Sequence, residues 1–275
     1  MKNKAISASK ALGFGTAPVF FTAISTILGA ILFLRFGFAV GTLGFWGAIL
    51  IVLIGHLITL PTALAISELA TNTRVEGGGE YFIISRSFGL KIGSTIGIAL
   101  YFSQAISVAF YVIAFTEAFE PLFLWWQNHF NFELPRQAIS LPALGILAWI
   151  ILRKGAGLGV KALYFVVAVL FIALILFFAG SPIQTEEALR QPGNNFGFFN
   201  RDSFFLVFAI CFPAFTGMTA GVGLSGDLKN PGKSIPLGTL AATVAGMLIY
   251  FVLIWKLSVS ASQADLLEHQ LVMSK

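Results

Sequence analysis

Residues 211–228 read CFPAFTGMTAGVGLSGDL and continue an apolar run, SFFLVFAI at 203–210, with the character of the first half of a membrane-spanning helix. From its middle onward the stretch carries Pro213 and the glycines Gly217, Gly221, Gly223 and Gly226. Backbone inside a bilayer must satisfy its own hydrogen bonds, and proline removes a donor outright. Either the segment is not a span, or its helix is interrupted. The rest of the chain argues for a span. It has 275 residues, 57% hydrophobic and 11% charged, with 29 phenylalanines and 28 glycines. Soluble chains carry about a quarter charged residues, whereas this one has a mean hydropathy of +0.88. The fold class is all-α and polytopic.

Seven apolar segments of bilayer-crossing length are expected, at roughly 17–36, 44–70, 92–118, 138–152, 160–180, 203–225 and 236–257. The net charge of +5 is spread through the connections rather than along one face, which excludes a nucleic-acid surface and fits the positive-inside rule. With the N-terminus inside, Lys2, Lys4, Lys10, Arg74, Arg86, Lys91, Arg153, Lys154, Lys161, Lys229 and Lys233 are cytoplasmic, which is 11 of the 17 basic residues. The expected organisation is a cytoplasmic arm at 1–14, a transmembrane domain at 15–258 and an extracytoplasmic tail at 259–275. Ser262 and Asp265 form a capping-box pattern in that tail. It reads as a short interfacial helix or as the start of a loop, and the loop is the expectation. The start MKNKAISASK is basic, but the apolar run after it lacks a cleavage site, so no cleavable signal peptide is expected. The lone cysteine, Cys211, excludes an internal disulfide or a cysteine metal cluster and reads as a small packing residue.

The first span, TAISTILGAILFLRFGFAVG at 22–41, has the same feature as the opening stretch. Hydroxyl residues precede a glycine near mid-depth: Ser25, Thr26 and Gly29 in one, Thr216, Gly217 and Thr219 in the other. Many secondary transporters consist of inverted repeats that each begin with a discontinuous helix, and their substrates bind where the two breaks meet. Each break frees N–H groups that attract anions and carbonyls that coordinate cations. Two breaks five spans apart match a five-plus-five repeat. The competing reading is close helix packing, of which Gly217-x-x-x-Gly221 is a typical pair.

Four stretches resemble the cation–chloride cotransporters of the Na-K-Cl and K-Cl type, within the amino acid–polyamine–organocation superfamily. They are GAILFLRFGFAVG (29–41), ISELATNTRVEGGGEYFIISRSFGL (66–90), AFYVIAFTEAF (109–119) and FPAFTGMTAGVGLSGDLKNPGKSIPLGTL (212–240). The resemblance implies an inverted-repeat fold with discontinuous helices 1 and 6. It implies potassium ligands at Thr26, Ile27, Tyr111, Pro213 and Thr216, and chloride-binding N–H groups at Gly29, Ala30 and Ile31 and at Gly217, Met218 and Thr219. It also implies cotransport of potassium and chloride by alternating access at the plasma membrane, with sodium and homodimer formation left open and no cofactor or resident metal. An amino-acid permease of the same superfamily is the alternative. Where family members carry Asn and Trp in the first break, this chain has Thr26 and Leu28. The family fold has ten core helices or more, so the chain reads as the N-terminal portion of a longer carrier, truncated after about seven spans.

Several residues invite other readings. His56 lies within the second span and is read as a neutral histidine donating to a neighbouring helix rather than as a proton relay. Glu68 and Glu117 read as structural pairing partners, and Arg35 as an interfacial anchor or a chloride attractor. VEGGGEYF (75–82) lacks the elements of a phosphate loop and reads as a tight turn where a short helix meets the bundle. Gly223-Leu224-Ser225-Gly226 matches the GxSG pattern of intramembrane rhomboid proteases, which needs a histidine base beside Ser225. The histidines are His56, His129 and His269.

Overall fold

The computed structural model describes residues 13–72, 77–181, 196–268 and 273, without side chains at 151 and 154–161. The expectations for Lys2, Lys4, Lys10, Arg74 and His269 lie outside the described residues. The chain is an integral multi-pass membrane protein built from helices. Helix α1 (Thr16–Ile27) ends at Leu28 and Gly29, and α2 (Ala30–Asn72) starts immediately after. The interruption expected in the first span is therefore present.

The α2 run is about 65 Å of helix at 1.5 Å per residue. That is far more than one crossing needs, and it is bent where Gly44 takes φ 74°, ψ 178°, a conformation open essentially only to glycine. The bend separates the first and second spans and frees backbone groups, which the far part of the chain satisfies. The Phe199 N–H donates to the Leu43 carbonyl at 2.9 Å and the Trp46 N–H to Gly197 at 3.3 Å. Gln263 Nε2 donates to the Gly41 carbonyl at 2.9 Å.

The third segment is α4 (Leu90–Glu117), reached through the short helix α3 (Gly79–Phe88). A further helix, α5 (Glu120–Phe130), was not expected. It begins with Glu120 and Pro121 and ends at Asn131 in the left-handed region, φ 53°, a regular start and stop that an aromatic-rich sequence obscures. Its stacked Trp125 and His129 rings, 5.3 Å apart, fit a membrane-interface belt.

The fourth and fifth segments are a single helix, α6 (Gln137–Ala179), where a connection at 153–159 was expected. Their apolar parts, Gln137–Ile150 and Ala162–Ala179, are joined by helical backbone. Between Ile151 and Ala162 there is no proline and no Ser, Thr, Asp or Asn to cap a new start. The basic residues counted there for sidedness are thus on a helix rather than in a loop.

The sixth segment begins as α7 (Phe204–Cys211) and passes at Phe212 into a 3₁₀ stretch, Phe212–Asp227. Runs of that length are uncommon because 3₁₀ geometry is poorer than α. Here Pro213 removes the N–H that would continue the α ladder. The sequence suggested an unwound gap; the structure has an overwound segment instead. The seventh segment, α8 (Pro231–Ser260), packs along α1 and α2 and forms the centre of the core with the 3₁₀ stretch.

The described part of the tail holds a short helix, α9 (Gln263–Glu268), where a loop was expected. Its N-cap is formed: the Asp265 N–H donates to Ser262 Oγ at 3.2 Å, and that hydroxyl donates to Asp265 Oδ2 at 2.6 Å. Leu266 is buried against Gly41 of α2. In contrast, α4 presents Ile98, Phe102, Ile106 and Ile113 outward, as a lipid-facing helix must.

Candidate functional site

The two interrupted segments meet. A Cβ placed on Gly217 would stand 2.6 Å from Thr26 Cγ2 and 2.9 Å from the Ile27 nitrogen, so only glycine allows this approach. One turn on, a Cβ at Gly221 would lie 2.5 Å from the Val19 carbonyl oxygen. Gly238 and Gly246 of α8 also receive α1, at Val19 and Ile27. The packing reading of Gly217-x-x-x-Gly221 therefore describes its contacts well, and that packing is what brings the two breaks together.

On the α1 side, hydroxyls crowd one carbonyl. Ser25 Oγ and Thr26 Oγ1 both donate to the Thr22 carbonyl, at 3.0 and 2.8 Å. The Ile27 carbonyl, left without an i+4 donor by the break, accepts from the Tyr250 hydroxyl of α8 at 2.6 Å. Tyr250 is fully buried, with its ring 4.5 Å from Phe36 and 5.2 Å from Phe215. Sequence reasoning missed this residue. The available signal was a phenol within an apolar span, which needs an acceptor when buried.

After the break, Gly29, Ala30 and Ile31 supply first-turn N–H groups of α2, which by helix geometry have no acceptor within that helix. In the 3₁₀ stretch, the Thr216 hydroxyl donates to the Pro213 carbonyl at 2.8 Å, so two of the implied potassium ligands are bonded to each other. Both residues are exposed. Met218 is buried in the core, and Thr219 lines a cavity together with Glu80. Tyr111 sits in different surroundings. It is 43% exposed and lines an apolar groove of about 420 Å³ with Val108, Phe115, Ile146 and Ile150.

The competing readings also find their places. His56 is buried and bonds through Nδ1 to the Val52 carbonyl of its own helix at 2.9 Å, not to a neighbouring helix as expected. Its ring packs 5.0 Å from Phe215. Arg35 and Glu117 pair at 2.9 Å, joining α2 to α4. The pairing expected of Glu117 is thus present, and the Arg35 charge that could have drawn chloride is neutralised. Glu68 is exposed. Ser225 is buried and accepts the Gly79 N–H at 3.2 Å, while His129 lies on α5. Cys211 is buried in the core, as a packing residue would be.

The amino acid permease family matches residues 18–273. Among curated proteins, the chain is 36% identical over 232 residues to solute carrier family 12 member 1 of Mus musculus, covering 78% of this chain and 21% of that protein. The Homo sapiens member 1 gives the same figures. Solute carrier family 12 member 2 of Homo sapiens is 34% identical over 241 residues, 82% of this chain and 19% of that protein. The chain spans about a fifth of the length of these relatives. They carry the resemblance to cation–chloride cotransporters that the motifs introduced.

Proposed function

Since the chain belongs to the amino acid permease family, we propose that it contributes the first part of a secondary active carrier that moves potassium with chloride by alternating access. The observation that carries this reading is the contact of Gly217 with Thr26 and Ile27, which puts two interrupted helices in one place. Such a junction supplies carbonyls for a cation and N–H groups for an anion without a covalent step. In this reading the cation lies among Thr26, Ile27, Pro213 and Thr216, with Tyr111 joining as α4 moves inward. The anion is held by Gly29, Ala30 and Ile31, and a second by Gly217, Met218 and Thr219. Sodium is an optional third ion. The plasma membrane and a cytoplasmic N-terminus complete the proposal, along with the division into arm, transmembrane domain and tail.

An amino-acid substrate is the second reading, and the family match itself favours it. The first break has a single glycine, Gly29, with which to cradle a carboxylate. Uptake of rubidium into vesicles containing the carrier separates the two. The proposal expects uptake that disappears when gluconate replaces chloride. Rubidium uptake indifferent to chloride, with amino-acid uptake in its place, would reject it.

A further inference from the structure

An anion is best held by donors with no carboxylate beside them, since like charges in a site of low dielectric repel strongly. Yet the Glu80 carboxylate lines the same cavity as Thr219, the last residue of the second proposed anion triad. Its position is fixed by backbone. Gly78 and Gly79 have φ of 128° and 57°, and the Gly79 N–H is held by Ser225 Oγ at 3.2 Å. A Cβ at Gly226 would lie 2.9 Å from Gly77 Cα, so the glycine loop lies directly on the 3₁₀ stretch.

Between them is a cavity of about 440 Å³, whose wall includes Glu80, Tyr81, Tyr101, Gln104 and Thr219. Once Glu80 is neutral, every one of these polar side chains can donate a hydrogen bond. No Lys, Arg or His lines the cavity among the described residues. Charged groups on the elements packed around it are Arg86 on α3, which lies over the Phe82 ring at 5.6 Å, Lys91 on α4, Glu68 on α2, Asp227 at the end of the 3₁₀ stretch, and the mutually paired Arg35 of α2 and Glu117 of α4. None of them lines it.

We propose that Glu80 is the proton-binding residue of the anion site, so that a halide reaches Thr219 only together with a proton on Glu80. The inference rests on the chloride reading above and names its coupling partner. An ionised Glu80 repels the halide from the cavity it shares with Thr219. One proton added to a carboxylate oxygen cancels the charge and makes the acid itself a donor. The halide then enters, and the net charge of the site is the same before and after. Burial pushes the Glu80 carboxyl above the usual carboxylate range, with the Thr219 side chain opposing the shift in part.

Chloride binding to the chain in lipid nanodiscs, followed from about pH 5 to about pH 9, tests the proposal. Affinity is expected to fall about tenfold per pH unit on the alkaline side of the Glu80 pKa and to level off below it. On the alkaline limb a pH-sensitive dye records one proton taken up for each chloride bound at the Thr219 site. Glu80→Gln, which mimics the neutral acid, binds chloride with the acid-limb affinity at every pH and takes up no proton. Chloride binding that is independent of pH and proton-free in the unsubstituted chain overturns the inference and leaves the functional reading standing. Chloride binding absent at every pH overturns both.

Discussion

Tyr250→Phe isolates one oxygen atom at the junction of the two interrupted helices. The ring contacts with Phe36 and Phe215 remain, and the hydrogen bond of 2.6 Å to the Ile27 carbonyl is lost. A buried acceptor deprived of its donor costs about 1–3 kcal/mol. In buffer with only a large organic cation, the variant is therefore expected to unfold at a lower temperature. Potassium changes the sign of the comparison. If the Ile27 carbonyl is a cation ligand, the ion has to displace the Tyr250 hydroxyl in the unsubstituted chain and has nothing to displace in the variant. A hydrogen bond worth about 1–1.5 kcal/mol then corresponds to a gain in potassium affinity of about tenfold. Potassium should also restore more thermal stability to the variant, because ligand stabilisation follows affinity. Thermal unfolding and potassium titration of both proteins, in nanodiscs, supply the four numbers needed. A potassium affinity that is unchanged or weaker in the variant would refute the assignment of Ile27.

Three other substitutions address separate parts of the account. Gly44→Ala requires a side chain at φ 74° and a Cβ 2.4 Å from the Gly197 carbonyl oxygen; a loss of about 2 kcal/mol or more in thermal or denaturant unfolding is expected, and unchanged stability would contradict the bend. Glu117→Gln leaves Arg35 partly buried beside a neutral partner, which is expected to cost about 1–2 kcal/mol with little change in chloride affinity. A large change in chloride affinity would mean that the Arg35 charge reaches the ion path. Tyr111→Phe is expected to weaken potassium binding if α4 brings the phenol to the site, and equal affinity in both proteins would remove Tyr111 from the ligand set.

Much of the architecture was legible because it is written in local signals. Long apolar runs mark the segments and the glycine–hydroxyl pattern marks the interruption at Leu28 and Gly29, whereas at the Ser262–Asp265 pattern that starts α9 a loop was expected. The parts that were not legible depend on partners distant in sequence or on the absence of a local stop. Nothing local shows that Tyr250 faces the Ile27 carbonyl, or that Glu80 of α3 and Thr219 line one cavity. The continuous α6 was missed because the basic, glycine-rich stretch at 153–161 looks like a connection, although it contains no proline and no Ser, Thr, Asp or Asn to start a new helix. Pro213 correctly located the change in the sixth segment. It did not distinguish an unwound gap from a 3₁₀ stretch, since both relieve the same missing donor.

The central claim is that the meeting of the two interrupted helices forms one site for a cation and an anion together. Binding of thallium as a potassium analogue, titrated to the chain in nanodiscs with chloride or with gluconate, tests it most directly. Coupling between two ligands is reciprocal and typically 1–3 kcal/mol, about 5- to 150-fold in affinity. The account predicts tighter thallium binding in chloride by a factor in that range, and chloride binding tightened by potassium to the same extent. Thallium affinity identical in the two anions would contradict it.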